Sequence, residues 1–202
     1  MAPRFSKCPT WWIRTDEKTG LKKFSAGGGH IGTSIAALKC ILAISVSIDF
    51  SSRKAKLSIS DLEALTGLSR PKVLDGLKRL DELKIIQVDK KSHTHVYELT
   101  EGPQDAKWGK VPFERIRKHL REIPNRGVTP LTALKIYLVL VSVRRNDTNA
   151  VPIGYDTLVE YTGAQRSHIR SGLDILYSHM LIRITQSDES KERHNVYTIS
   201  GI

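Results

Sequence analysis

The 202 residues, 40% apolar and 26% charged, can form one large domain or two of about 100 residues, each with a modest core. No apolar run reaches the roughly 18 residues of a membrane span, and the opening MAPRFSKCPTWWIRTDEKTG lacks a secretory leader, so a cytoplasmic protein with no membrane partner is expected. A net charge of +11 favours polyanionic partners, because each neutralised phosphate releases condensed counterions.

In chain order, the segments around Trp11–Arg14 and Leu21–Phe24 read as a hairpin across TDEKTG. Thr33 reads as the N-cap of an apolar helix over 34–48. Cys40 lies inside that run and reads as a small buried hydrophobe. With Cys8 as the only other cysteine, no disulfide framework or zinc site can be built from cysteines. A short second helix starts near Ser60 and ends at Gly67, a glycine suited to a left-handed turn. A third helix begins at Ser69 with Val73, Leu77 and Leu80 at helical spacing, and the β-branched runs IIQV and VYEL then read as a hairpin. Gly, Pro and polar residues at 100–106 mark a linker, beyond which KWGKVPFERIRKHLR reads as a strand entering a basic helix.

The second half repeats this order. An offset of 96 superposes Ala37-Leu38-Lys39 on Ala133-Leu134-Lys135, Leu62 on Leu158, Thr66-Gly67 on Thr162-Gly163 and Gly76-Leu77 on Gly172-Leu173; it also pairs Trp12 with Trp108. Thr129 caps a helix over 130–144 with Pro130 at its first position, a second helix runs from Gly154, a third from Gln165, and LIRI with VYTI forms the second hairpin. Both halves are basic: residues 1–100 carry 17 basic and 10 acidic side chains, and residues 101–202 carry 15 and 11.

Helix, short helix, glycine turn, helix, hairpin is the order of a winged helix, and both halves resemble that superfamily. TGLSRPKVLDGLKRLDELKII carries the resemblance most clearly, and TGAQRSHIRSGLDILYSHMLI matches less closely. The implied fold class is α+β, mainly α, with two winged helix-turn-helix domains related by an internal repeat. One spans 1–100 with a core of 33–99, and the other spans 101–202 with a core of 129–200. Two unlike units in one chain resemble, in architecture, the replication initiators of plasmids and phages. Transcriptional regulators of mobile elements share the same parts, and winged helices also serve as protein-interaction scaffolds.

The resemblance implies double-stranded DNA as partner, with the third helix in the major groove. Ser69, Arg70, Lys72, Lys78 and Arg79 are the candidate contacts there: Arg70 and Lys72 for bases, Lys78 and Arg79 for phosphate. Lys90, Lys91 and His93 at the first hairpin tip, and Lys191 and Arg193 at the second, are candidates for backbone or minor groove. The second third-helix offers Gln165, Arg166, Ser167, His168 and Arg170, but has Asp174 and Ile175 where the first copy has Lys78 and Arg79. It therefore reads DNA through the first set, or presents Ile175 to a partner. A homodimer or host replication or transcription proteins are the protein partners this allows. Arg115, Arg117, Lys118 and Arg121 form either a phosphate-contacting bridge or an ordinary solvated helix face.

No chemistry is expected. Gly27-Gly28-Gly29-His30-Ile31-Gly32 lacks the lysine and order of a phosphate loop, and no nucleophile has a base beside it. His93-Thr94-His95 has no further ligands nearby in sequence. The chain is read as a non-enzyme with no cofactor, no metal and no small-molecule substrate.

Overall fold

A computed structural model describes residues 4–14, 20–49, 51–91, 94–102, 107–186 and 195–202. The fold is mixed α+β, with about 49% of the described residues in helix and 20% in strand. The first half runs β1 (Phe5–Pro9), a 3-10 helix (Gly20–Lys23), α1 (Ile31–Ser45), β2 (Lys54–Leu57), α2 (Ile59–Thr66), α3 (Arg70–Glu82), β3 (Ile86–Asp89) and β4 (His95–Leu99). The second half runs β5 (Trp108–Pro112), α4 (Phe113–His119), a 3-10 helix (Leu120–Glu122), α5 (Val128–Val143), β6 (Ala150–Pro152), α6 (Tyr155–Thr162), α7 (Arg166–Ser178), β7 (Ile182–Gln186) and β8 (Asn195–Ile199).

α1 and α5 are buried along nearly their whole lengths, as helices apolar on every face must be. Each is capped two or three residues before the expected Thr33 and Thr129, which lie inside the helices. Glycines make the entry turns instead: Gly28 and Gly29 have φ of 62° and 77°, and Gly127 has φ of 97°. His30 and Gly127 occupy the cap positions without a side-chain cap bond. Pro130 falls in the first turn of α5, where no intrahelical N–H partner is lost. α2 starts behind Ser58 rather than Ser60, because Ser58 and Asp61 form a reciprocal capping box.

Each half carries a three-stranded antiparallel sheet, ordered β2-β4-β3 and β6-β8-β7. The hairpins share their register, Ile86 opposite Leu99 and Ile182 opposite Ile199. The edge strands β2 and β6 are not among the elements expected from sequence, although KAKL alternates exposed and buried positions as a half-buried strand should. Arg53 and Asn149, at the entries to β2 and β6, share a left-handed φ of 56°, and Lys84 and Met180 at the ends of α3 and α7 have φ of 56° and 54°. Thus even the strained backbone positions recur at the 96-residue offset.

The N-terminal hairpin is a misreading. β1 pairs antiparallel with β5 from the other half, Phe5 opposite Pro112 and Pro9 opposite Trp108. Trp12 does not take a position equivalent to Trp108: it is buried in a turn, packed edge-on to Phe24 at 5.7 Å, whereas Trp108 opens β5. The halves also exchange smaller pieces. The 3-10 helix Leu120–Glu122 packs on α2, the 3-10 helix Gly20–Lys23 packs on α6, and α1 packs on α5. One apolar core runs through all of these elements. Of the expected linker, residues 103–106 lie outside the described residues, while Trp11 Nε1 donates to the Thr100 carbonyl at 3.0 Å.

Candidate nucleic-acid interface

The frame behind α3 is a chemical unit that occurs twice. The Thr66 hydroxyl donates to the Leu62 carbonyl at 2.5 Å and accepts from the Leu68 N–H, while the next residue, Gly67, takes φ of 67°. Thr162, Leu158, Ala164 and Gly163 repeat this, with φ of 64° at the glycine. Deep in the core, Lys39 on α1 donates to the Thr66 carbonyl at 2.9 Å, and Lys135 on α5 donates to the Thr162 carbonyl at 2.8 Å. Each lysine thus satisfies an otherwise orphaned carbonyl at a helix C-terminus, where a cation is favoured. Lys39 has two further acceptors, the Ile123 carbonyl and Asn125 Oδ1, both at 2.6 Å. Burial pushes both ammonium groups down to about 8. These lysines were visible as a pair in the repeat, but a repeat does not say which way a side chain points.

On this frame α3 turns Val73, Gly76, Leu77 and Leu80 into the core. Gly76 is required by the approach to α1: a Cβ there would lie 2.6 Å from the Ala36 carbonyl carbon. Ser69 is the N-cap but its hydroxyl makes no cap bond, and Pro71 stands in the first turn, which holds no acidic residue. Ser69, Arg70, Lys72 and Lys78 are all solvent-exposed. Lys72 pairs with Asp75 at 3.0 Å, an exposed contact worth little in water. Arg79 is half-buried, bonded to the Lys23 carbonyl at 2.9 Å and to Glu82 at 3.4 Å, so it also clamps the 3-10 helix Gly20–Lys23. The cleft beside it brings Lys23 and His30 to the side of Lys78 and Arg79, two basic side chains the sequence reading did not include. The first turn of α1 joins the same surface: a Cβ on Gly32 would lie 3.7 Å from Lys72 Nζ.

At the first hairpin tip Lys90 and Lys91 are exposed, and the Asp89 side chain accepts from the Lys91 N–H at 3.1 Å. His93, Lys191 and Arg193 lie outside the described residues. His95 faces inward to the Tyr97 hydroxyl at 3.3 Å.

α7 presents a different surface. Gln165, Ser167 and Arg170 are exposed and His168 is half-buried. Arg166 is exposed but ion-paired with Asp156 and lies over the Tyr155 ring at 5.8 Å. Ile175 is half-buried and packs on the chain's own core, and the large apolar side chains exposed toward the end of α7 are Tyr177 and Met180. Of the inter-unit basic residues, Arg117 donates to the Val46 carbonyl at 2.9 Å and Arg115 lies against Met180, while Lys118 and Arg121 are exposed. The described metal-ligand grouping, His119 with Glu122 and His179, is built from α4, the 3-10 helix after it and the end of α7. No helix among the described residues is long and apolar enough to cross a membrane. No protein-family profile matches the chain, and no curated protein matches it.

Proposed function

We propose that this chain binds double-stranded DNA sequence-specifically through two winged helix-turn-helix units, and that it acts as a replication initiator of a plasmid or other mobile element. The first unit comprises α1 to β4 and the second α5 to β8, with α3 as the principal reading helix. One observation carries this: Arg70, Lys72 and Lys78 project to solvent from a helix whose opposite face is locked into the core and whose first turn holds no acid. A rigid helix with a basic leading end is what major-groove readout requires. Arg70 supplies the fork that suits guanine, and Lys72 exchanges its exposed Asp75 pair for DNA. Lys78 and Lys23, with the wing lysines Lys90 and Lys91, hold phosphates. The second unit adds local concentration on the same duplex, through backbone contacts or through a protein partner at the less basic α7.

A transcriptional regulator is the second reading. The groove lined by Phe5, Ile48, Leu99, Trp108 and Phe113 favours it, because a regulator would use such a groove for an effector. Selecting bound fragments from the source genome and its plasmids at two salt concentrations, beside the Arg70→Ala/Lys72→Ala variant, separates the cases. Iterated sites next to an A·T-rich region, lost in the variant, are the result expected of an initiator. Single promoter sites would move the assignment to the regulator. Sequence-blind binding unaffected by the substitutions would overturn α3 as a reader and favour an interaction scaffold.

A further inference from the structure

His119 ends α4, Glu122 ends the 3-10 helix that follows, and His179 is the C-cap of α7. These three residues are close in space although the first two are about 60 positions from the third. Glu122 Oε2 lies 2.8 Å from His119 Nδ1 and 3.4 Å from His179 Nδ1. All three ligand atoms fall within 4.8 Å of one another.

We infer that His119, Glu122 and His179 form a binding site for a divalent transition metal, zinc by its chemistry, which staples the α4 segment to the end of α7. The inference goes beyond the DNA-binding reading and stands apart from it. Bonds of about 2.0–2.1 Å to a tetrahedral zinc place ligand atoms roughly 3.3 Å apart, close to the two separations from Glu122. Small side-chain rotations therefore suffice to complete the site. Two imidazoles and one carboxylate select a borderline ion over calcium or magnesium, which take oxygen sets. The His119 side chain is only 9% exposed, so its ring is held before any ion arrives, whereas Glu122 at 47% opens the fourth position to water. α7 ends here with no basic residue in its last turn, so the C-terminal end of its dipole faces the site without a side-chain cation of its own.

The test is calorimetric titration of the chelator-treated full-length chain with zinc chloride, with Co2+ as a spectroscopic substitute and Mg2+ as competitor. The expected result is one zinc per chain, a Co2+ ligand-field band, a rise in melting temperature and no displacement by Mg2+. His179→Ala and Glu122→Gln are each expected to weaken binding by roughly tenfold or more. Because His179 is a partly exposed helix cap, its variant is expected to stay folded. Co2+-induced shifts of the His119 and His179 ring signals in the unsubstituted protein provide a readout that does not depend on any variant. Absence of stoichiometric zinc binding, equal affinity in both variants, or shifts at other histidines alone would overturn the site and leave a carboxylate hydrogen-bonded to two imidazoles.

Discussion

Lys39 and Lys135 are the same residue twice, yet their surroundings assign them different costs. Replacing Lys39 by Met strands three acceptors, Thr66 O, Ile123 O and Asn125 Oδ1, whereas Lys135→Met strands Thr162 O. Chemical denaturation at neutral pH is expected to show Lys39→Met losing about 3 kcal/mol and Lys135→Met about 1 kcal/mol. Both ammonium groups have their folded-state values lowered from 10.5 to about 8. Above pH 8 the folded chain releases these protons while the unfolded chain keeps them, so stability rises with pH through that window. Each lysine is expected to contribute about 1 kcal/mol of gain between pH 8 and pH 9. Beyond pH 9 the buried thiols oppose it, since Cys8 and Cys40 are raised to about 11 and 12 and favour the folded chain only while the unfolded thiols remain protonated. Urea unfolding at pH 7.5 and 9, with Lys135→Met losing its share of the gain, checks the assignment. On the surface proposed to face DNA, Arg70→Ala is expected to cost about 1–3 kcal/mol of specific binding and relax the preferred sequence. Lys78→Ala should instead lower the salt dependence by about one unit of log K per log salt, with the preference intact. Binding isotherms on cognate and shuffled duplexes at several salt concentrations distinguish the two roles.

At the scale of elements, the crossings of α1 with α3 and of α5 with α7 are set by glycine, and they are not equally tight. A Cβ on Gly76 would meet Ala36 C, Ala37 N and Ala36 O at 2.6, 2.8 and 2.9 Å, all backbone, so α3 must move. A Cβ on Gly172 would meet Ala133 N and Ile136 Cδ1 at 3.1 Å and Thr132 Cγ2 at 3.3 Å, contacts that a small shift relieves. Gly76→Ala is therefore expected to destabilise by about 2–3 kcal/mol and, on the proposed function, to weaken DNA binding by tilting α3, while Gly172→Ala costs about 1 kcal/mol or less. Thermal denaturation with binding measured below the transition tests both. The third helices were legible because Val73, Leu77 and Leu80, like Ile169, Leu173 and Leu176, recur at helical spacing and are all buried. The starts of α1 and α5 were not legible in this way. Thr33 and Thr129 look like caps, but the backbone freedom of Gly28, Gly29 and Gly127 lets the helices begin earlier.

Over the whole molecule, the repeat suggests two independent bodies, but β1 pairs with β5, each 3-10 helix packs on the opposite half, and a single core joins α1 to α5. Calorimetry is therefore expected to show one cooperative transition, with equal van't Hoff and calorimetric enthalpies, rather than two resolved steps. Two separated transitions would mean that these shared elements contribute little. Residues 4–9 are the sharpest probe, since deleting β1 leaves β5 without its strand partner. Such a chain is expected to melt lower while keeping both hairpin registers.

Sequence by itself determined what depends on local order: the spacing that buries one face of α3 and α7, the glycines that end α2 and α6, the β-branched hairpins, and the basic surplus in both halves. These follow from periodicity and backbone stereochemistry, which neighbours in the chain settle. Tertiary structure alone decided what depends on distant partners. It paired β1 with β5 across about 100 residues, buried Lys39 against carbonyls from two separate segments, tied Arg79 to Lys23, and gathered His119, Glu122 and His179. The physical reason is the same throughout: a strand edge, a buried charge and a ligand set are each completed by groups whose sequence separation leaves no periodic trace.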